Sequence, residues 1–169
     1  MKFFIQKKFL VFFAMFCLAG CAGYRLGSTL PPDVKTIHVP LFENKSREPL
    51  IENQATAAVI AELQKDGTLK VVNAEKADVV LVCTLTSISL NPLRYERSDP
   101  AKANEYRLTL NAAYILRRTR NGEVLSEGTA IGEGTFPFAG NLSSAKQTAM
   151  PQTTQDLAKR IVERIIEAW

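Results

Sequence analysis

Few residues in this 169-residue chain are of the kinds that make or break covalent bonds. There are three cysteines, Cys17, Cys21 and Cys83, and one histidine, His38, which sits mid-strand between Ile37 and Val39. No serine occupies a nucleophile elbow, and no His/Cys cluster has metal-site spacing. Gly132-Glu133-Gly134 lacks the lysine and the further glycines that let backbone N–H groups cradle a phosphate. Asn44-Lys45-Ser46 and Asn141-Leu142-Ser143 read as turn chemistry, and the acid pair Glu43 and Glu48 as solvated loop charge. Nothing assembles an active site, so the sequence predicts neither catalysis nor a cofactor.

Cys21 stands apart because of what precedes it. Lys2, Lys7 and Lys8 give a positive start, Phe9 to Leu18 form an unbroken apolar run, and the small residues Ala19 and Gly20 follow. This is the make-up of a secretory leader over residues 1–20. The run is too short for a bilayer core, which takes about 20 residues. Leu18-Ala19-Gly20-Cys21 resembles the bacterial lipobox. That resemblance implies cleavage between Gly20 and Cys21 and a mature chain beginning at an acylated Cys21. One acyl chain anchors marginally and two or more hold stably, so the covalent lipid would commit the protein to a membrane. Ala22 stands where an aspartate would mark inner-membrane retention, which implies the outer membrane, periplasmic side.

Removing the leader takes away three lysines and no acid, so the formal charge falls from +4 to +1. A nearly balanced chain argues against nucleic acid, which calls for a basic face. Cys17 leaves with the leader, so Cys83 has no intramolecular partner. It alternates with Val79, Leu81 and Leu85 and reads as a small buried hydrophobe.

One cluster could bind rather than react. The connection over residues 91–104 contains Arg94, Tyr95, Arg97 and Lys102. Arg107 follows on the outer face of the next strand, and Arg117, Arg118 and Arg120 lie at that strand's far end. Guanidinium forks match phosphate and carboxylate oxygens bidentately. The same charges would also serve as solvated guards of strand edges.

The elements that position these residues follow from periodicity. Residues 22–33 read as a tether. Thr36 to Phe42 alternates as a strand, with Pro40 placing it at an edge or ending its pairing. A helix begins at Pro49, carries Ile51, Ala55, Ala58, Val59 and Leu63 at helical spacing, and closes at Asp66-Gly67. Strands are predicted at Leu69–Val72, at Asp78–Leu90 with a bulge near Thr86 where the apolar face changes phase, and at Asn104–Arg118. Asn121-Gly122 predicts a hairpin to Val124 through about Thr135. Leu157, Ile161, Ile165 and Trp169 mark a final helix over residues 153–169. The prediction is one α+β domain over residues 34–169, with two helices on one face of a mixed four- to five-stranded sheet.

From Cys21 to about residue 72 the chain resembles the LptE family of lipopolysaccharide-assembly lipoproteins. The resemblance rests on Cys21 followed by Gly23-Tyr24-Arg25-Leu26, Leu30-Pro31, the strand with Pro40 and Phe42, Asn44-x-Ser46, and Glu52-x-x-x-Thr56 in a helix ending at Asp66-Gly67. It implies an α/β roll of two helices on a four-stranded sheet, seated in the lumen of the outer-membrane barrel LptD. It also implies a part in delivering lipopolysaccharide to the outer leaflet, with basic loop residues touching the glycolipid. Arg94, Arg97, Lys102 and Arg107 are nominated for that contact by their chemistry alone.

Two other readings fit the same elements. A different periplasmic adaptor, of the TolB-N-terminal-like or penicillin-binding-protein-activator kind, also opens with a strand such as IHVPLFENKS followed by a helix. A small periplasmic enzyme or ligand carrier would need a deep apolar pocket with convergent polar groups.

Overall fold

The computed structural model describes residues 30–97, 103–138 and 140–167. The cleavage site, Cys21, most of the tether, Lys102 and Trp169 lie outside the described residues. The chain order is β1 (Thr36–His38), β2 (Glu43–Asn44), α1 (Ile51–Asp66), β3 (Lys70–Val71), β4 (Val79–Tyr95), β5 (Ala103–Arg118), β6 (Val124–Pro137) and α2 (Leu142–Ile166), with a 3-10 turn at Ala74–Lys76 before β4. The sheet runs β3-β1-β4-β5-β6, and β2 lies beside β4 further along the same edge. Pairing is parallel among β1, β2, β3 and β4 and antiparallel from β4 to β6. The α+β reading holds, with six described strands where four or five were predicted.

The core is a single layer between the sheet and the helices. Ile51, Ala55, Val59 and Leu63 of α1 and Leu157, Ile161 and Ile165 of α2 meet Leu81, Leu85, Leu108, Leu110 and Leu116 of the sheet, all buried. Each of the Val, Leu and Ile side chains contributes roughly 1.5–3 kcal/mol on leaving water. The opposite sheet face carries Thr84, Ser87, Ser89, Thr109 and Asn111, between the partly exposed Val82 at one end and charged residues at the other.

Several local predictions change. The strand expected through Phe42 breaks after His38, and only Glu43–Asn44 pairs again; Pro40 has no N–H to continue the ladder. Helix α1 starts at Ile51, so Pro49 lies ahead of it, and its N-cap Leu50 holds a left-handed φ of 63°. Arg47, with φ of 67°, is similar. Left-handed backbone is costly at residues with a β-carbon. Here it is held by a wired loop: the Asn44 amide donates to Glu48 C=O and to the Glu52 carboxylate, each at 2.7 Å, and Ser46 N–H donates to Asn44 Oδ1 at 3.0 Å.

The last helix starts at Leu142 rather than Thr153. Asn141, read as turn chemistry, is its N-cap: Oδ1 accepts from Ser143 N–H at 2.9 Å and Ser144 N–H at 3.4 Å. Pro151 falls inside the helix. There Thr153 and Thr154 are buried, and their hydroxyls donate back to the Ala149 and Met150 carbonyls at 3.0 and 3.1 Å. The expected bulge is present, since the β4–β5 register shifts between Leu85 and Ser87.

Candidate functional site

The basic residues nominated from the sequence separate into two ends of the hairpin sheet. Strand β4 runs to Tyr95 and β5 starts at Ala103, so Arg94 is a strand residue rather than a loop residue. Its Nε lies 3.0 Å from Glu105 across the ladder. Arg107 Nη1 lies 3.5 Å from the Glu133 carboxylate. The Nε of Arg107 is buried and has no hydrogen-bond partner among the described residues. Arg97 is exposed. Arg94, Arg97 and Arg107 thus share the distal end of the sheet, with two of the three already matched by a carboxylate. At the same end Tyr106 stacks on Phe136 and meets Phe138 edge-on, with ring centroids 6.0 and 5.7 Å apart.

At the opposite end Arg118 is buried and committed to the fold. Its guanidinium donates to Asp33 and, from Nε, to Glu123 at 3.1 Å. The Arg118 hydrogen bond holds the Asp33 carboxyl below the usual carboxylate range, and Asp33 in turn raises Arg118. Next to it the Asp78 carboxylate accepts from Lys35 N–H at 3.0 Å and Thr36 N–H at 2.9 Å. Those bonds, Lys35 first, lower its pKa as well.

The remaining chemical candidates have structural explanations. Burial pushes the Cys83 thiol up to about 12, so it is not a nucleophile at neutral pH. His38 Nδ1 lies 3.2 Å from Val72 C=O in a half-buried position. The two glycines around Glu133 let α2 come close. A β-carbon at Gly132 would stand 2.4 Å from Thr153 O and 2.6 Å from Leu157 Cβ, and one at Gly134 would stand 2.4 Å from Thr153 Oγ1. Among the described residues no group of three His, Cys, Asp or Glu side chains could hold a metal.

The close packing of α2 has a consequence the sequence reading missed. Strand β6 is an edge, and α2 covers it: Glu133 N–H donates to Asp156 Oδ2 at 2.8 Å, and Thr129 C=O accepts from Arg164. Such cover protects an edge from pairing with other chains. The other flank differs. Along β4, β1 pairs as far as Val80 and β2 at Thr84 and Leu85. From Ser87 to Tyr95 nothing pairs with that edge among the described residues.

Which groups this edge offers follows from the register. Lys45 N–H donates to Leu85 C=O at 2.8 Å, so Leu85 turns its main chain away from β5. Its partner Ala112 then turns towards β6, and by alternation so do Leu110, Leu108 and Tyr106. The residues opposite these three are Ile88, Leu90 and Pro92, which therefore present their main chain outward. Pro92 agrees, because it has no N–H to lend to β5. A groove of about 280 Å³ adjoins this edge, lined by Ile88, Leu90, Leu108, Leu142 and Lys146 among others. Lys146 is paired with Glu48, which fixes the wired loop to the start of α2. A larger, open trough of about 780 Å³ lies between the helices, lined by polar residues such as Gln54, Gln155 and Lys159.

Comparison with known proteins decides the family. The sequence profile of LptE, described as lipopolysaccharide-assembly, matches residues 34–168. The chain belongs to the LptE family. No curated protein sequence matches it. Solved structures resemble the LptE-family domain in fold at low identity. A hypothetical protein from Chlamydia trachomatis has a TM-score of 0.57 at 9% identity, covering 78% of this chain and 95% of its own. An uncharacterized lipoprotein B from Nitrosomonas europaea gives 0.54 at 17%, covering 81% and 84%. A protein from Xanthomonas campestris gives 0.53 at 13%, covering 82% and 90%.

Proposed function

We propose that this LptE-family protein is lipid-anchored on the periplasmic side of the outer membrane. There it plugs and helps assemble an LptD-type barrel and takes part in delivering lipopolysaccharide to the outer leaflet. The observation that carries the reading is the family match across residues 34–168. The domain is suited to the role. One sheet face is packed by helices, while on the other the hydroxyl and amide side chains Thr84, Ser87, Ser89, Thr109 and Asn111 lie among charged residues and exposed Val82 and Ile131, and no helix covers it among the described residues. The role needs no catalytic group. Anchoring falls to an acyl group on Cys21, and glycolipid contact to Arg94, Arg97, Lys102 and Arg107, of which Arg97 is exposed and Arg107 is half-exposed beside Glu133.

The test is purification of the full-length lipidated chain from envelopes, with mass spectrometry of its N-terminus. An equimolar complex with a large barrel protein and an acylated Cys21 support the reading. Partnership with a peptidoglycan synthase, or normal barrel maturation in cells lacking the protein, overturns it.

A further inference from the structure

We propose that the β4 edge from Ser87 to Asn91 is a strand-addition site that receives a short extended segment of a partner polypeptide. The outward main chain of Ile88 and Leu90 offers two N–H and two C=O groups at ladder spacing, an alternation that another extended backbone matches in full. The side chains of Ile88 and Leu90 point to the helix side, where Leu108 is buried and Leu142 is 38% exposed. A residue set opposite Ile88 or Leu90 would lower its side chain into the 280 Å³ groove between them and the start of α2. The segment recognised is therefore extended and alternating, with an apolar residue on the groove side and polar neighbours over Ser87 and Ser89. The contrast with β6 strengthens the case: there the Glu133 N–H and the Thr129 C=O are met by Asp156 and Arg164, and here no strand pairs with the edge among the described residues, beside an apolar slot.

A second copy of this chain does not fit the slot. Antiparallel self-pairing centred on Ser89 would place Leu93 opposite the second copy's Leu85. The outer side of Leu85 is already filled by Lys45. Sliding the pair to a centre on Asn91 sets Leu90 against the second copy's Pro92, which has no N–H, and loses a bond on each side. A short segment whose ends are free to turn away meets neither obstacle. The inference rests on the barrel reading only for the source of that segment.

The test uses the full chain in its native complex. Leu90→Pro deletes the outward N–H without touching the β5 ladder, while Leu90→Ala keeps the N–H and shortens the side chain. Loss of one interface hydrogen bond weakens the complex roughly tenfold, so Leu90→Pro should lose about that much more than Leu90→Ala, with equal thermal stability of the two free chains. Equal binding by both variants overturns the proposal. Hydrogen exchange provides the second reading, which no folding defect obscures: in the wild-type complex the Ile88 and Leu90 amides should slow roughly 100-fold relative to the free chain. A barrel complex with these amides unprotected sinks the strand site and leaves the proposed function standing. Protection by a partner that is not a barrel does the reverse. A photocrosslinker at Ser89 that captures a second copy overturns the choice of occupant.

Discussion

Asp33 and Arg118 lie 85 positions apart in the chain, and the guanidinium of one donates to the carboxylate of the other. Asp33 stands where the tether would enter the domain, and Arg118 closes β5, so this pair joins the entry point to the longest hairpin.

The pair and its neighbour Asp78 set a pH dependence. Both carboxyls titrate below their ordinary values in the folded chain. Their contribution is therefore fully present above about pH 4, the unfolded carboxyl range, and is lost as pH falls through the lower folded values. Denaturant midpoints should be flat in this respect from neutral pH down to about pH 4 and fall below it. Asp78→Asn should flatten that fall. An unchanged acid limb in Asp78→Asn would remove the site from the account.

Gly132→Ala and Gly134→Ala should each destabilise by about 3 kcal/mol or prevent folding, because the new methyl meets helix atoms in a packed layer. At Gly128 the nearest atom is the Tyr114 hydroxyl at 3.1 Å, the far end of a side chain that can move. Gly128→Ala should cost under about 1 kcal/mol. Urea unfolding of the three variants ranks them directly, and equal effects would contradict the close approach of α2.

Cys83 should resist thiol reagents in the native chain at pH 8 and react on unfolding, since its pKa of about 12 leaves almost no thiolate. Rapid labelling of the folded protein at position 83 would show that the strand opens.

Arg94→Glu combined with Arg97→Glu should weaken binding to purified lipopolysaccharide at least tenfold on the proposed function, each lost charge-assisted contact contributing about 1.5–3 kcal/mol. The fold should survive, since Arg94 is exposed and its pair with half-buried Glu105 contributes about 1 kcal/mol. Unchanged binding returns these arginines to the role of solvated edge guards.

Where the sequence carried a period, it was readable. The alternation from Tyr106 to Leu116, the phase change near Thr86 and the stripe Leu157, Ile161, Ile165 each reappear as strand, bulge and helix. The first turns of α2 were hidden because Pro151 and the mostly polar stretch Ser143 to Gln155, with only Ala145, Ala149 and Met150 apolar besides the proline, break the apolar pattern. Asn141 is their one legible sign. Strand β4 runs past Asn91 although its last residues, 91–95, are all exposed and carry no alternation. Their strand state comes from pairing with β5, a non-local cause that no window of residues displays. The candidate sites divide in the same way. Arginines can be nominated by type, but the carboxylates that match them, Glu105, Glu133 and Asp33, are known only once strands are in register. Likewise Pro92 is an edge signal only once no described strand is seen to pair on its other side.

Thr86 is the residue the ladder does not need: Leu85 keeps Ala112 and Ser87 keeps Asn111 on either side of it. Its hydroxyl donates to Asn111 C=O at 3.2 Å, pinning the extra link in place. What one spare position adds is a change of direction, so the angle at which the far half of the longest strand leaves the body is set first at this insertion. Relatives that lacked it could keep every core contact and still aim that end of the molecule elsewhere.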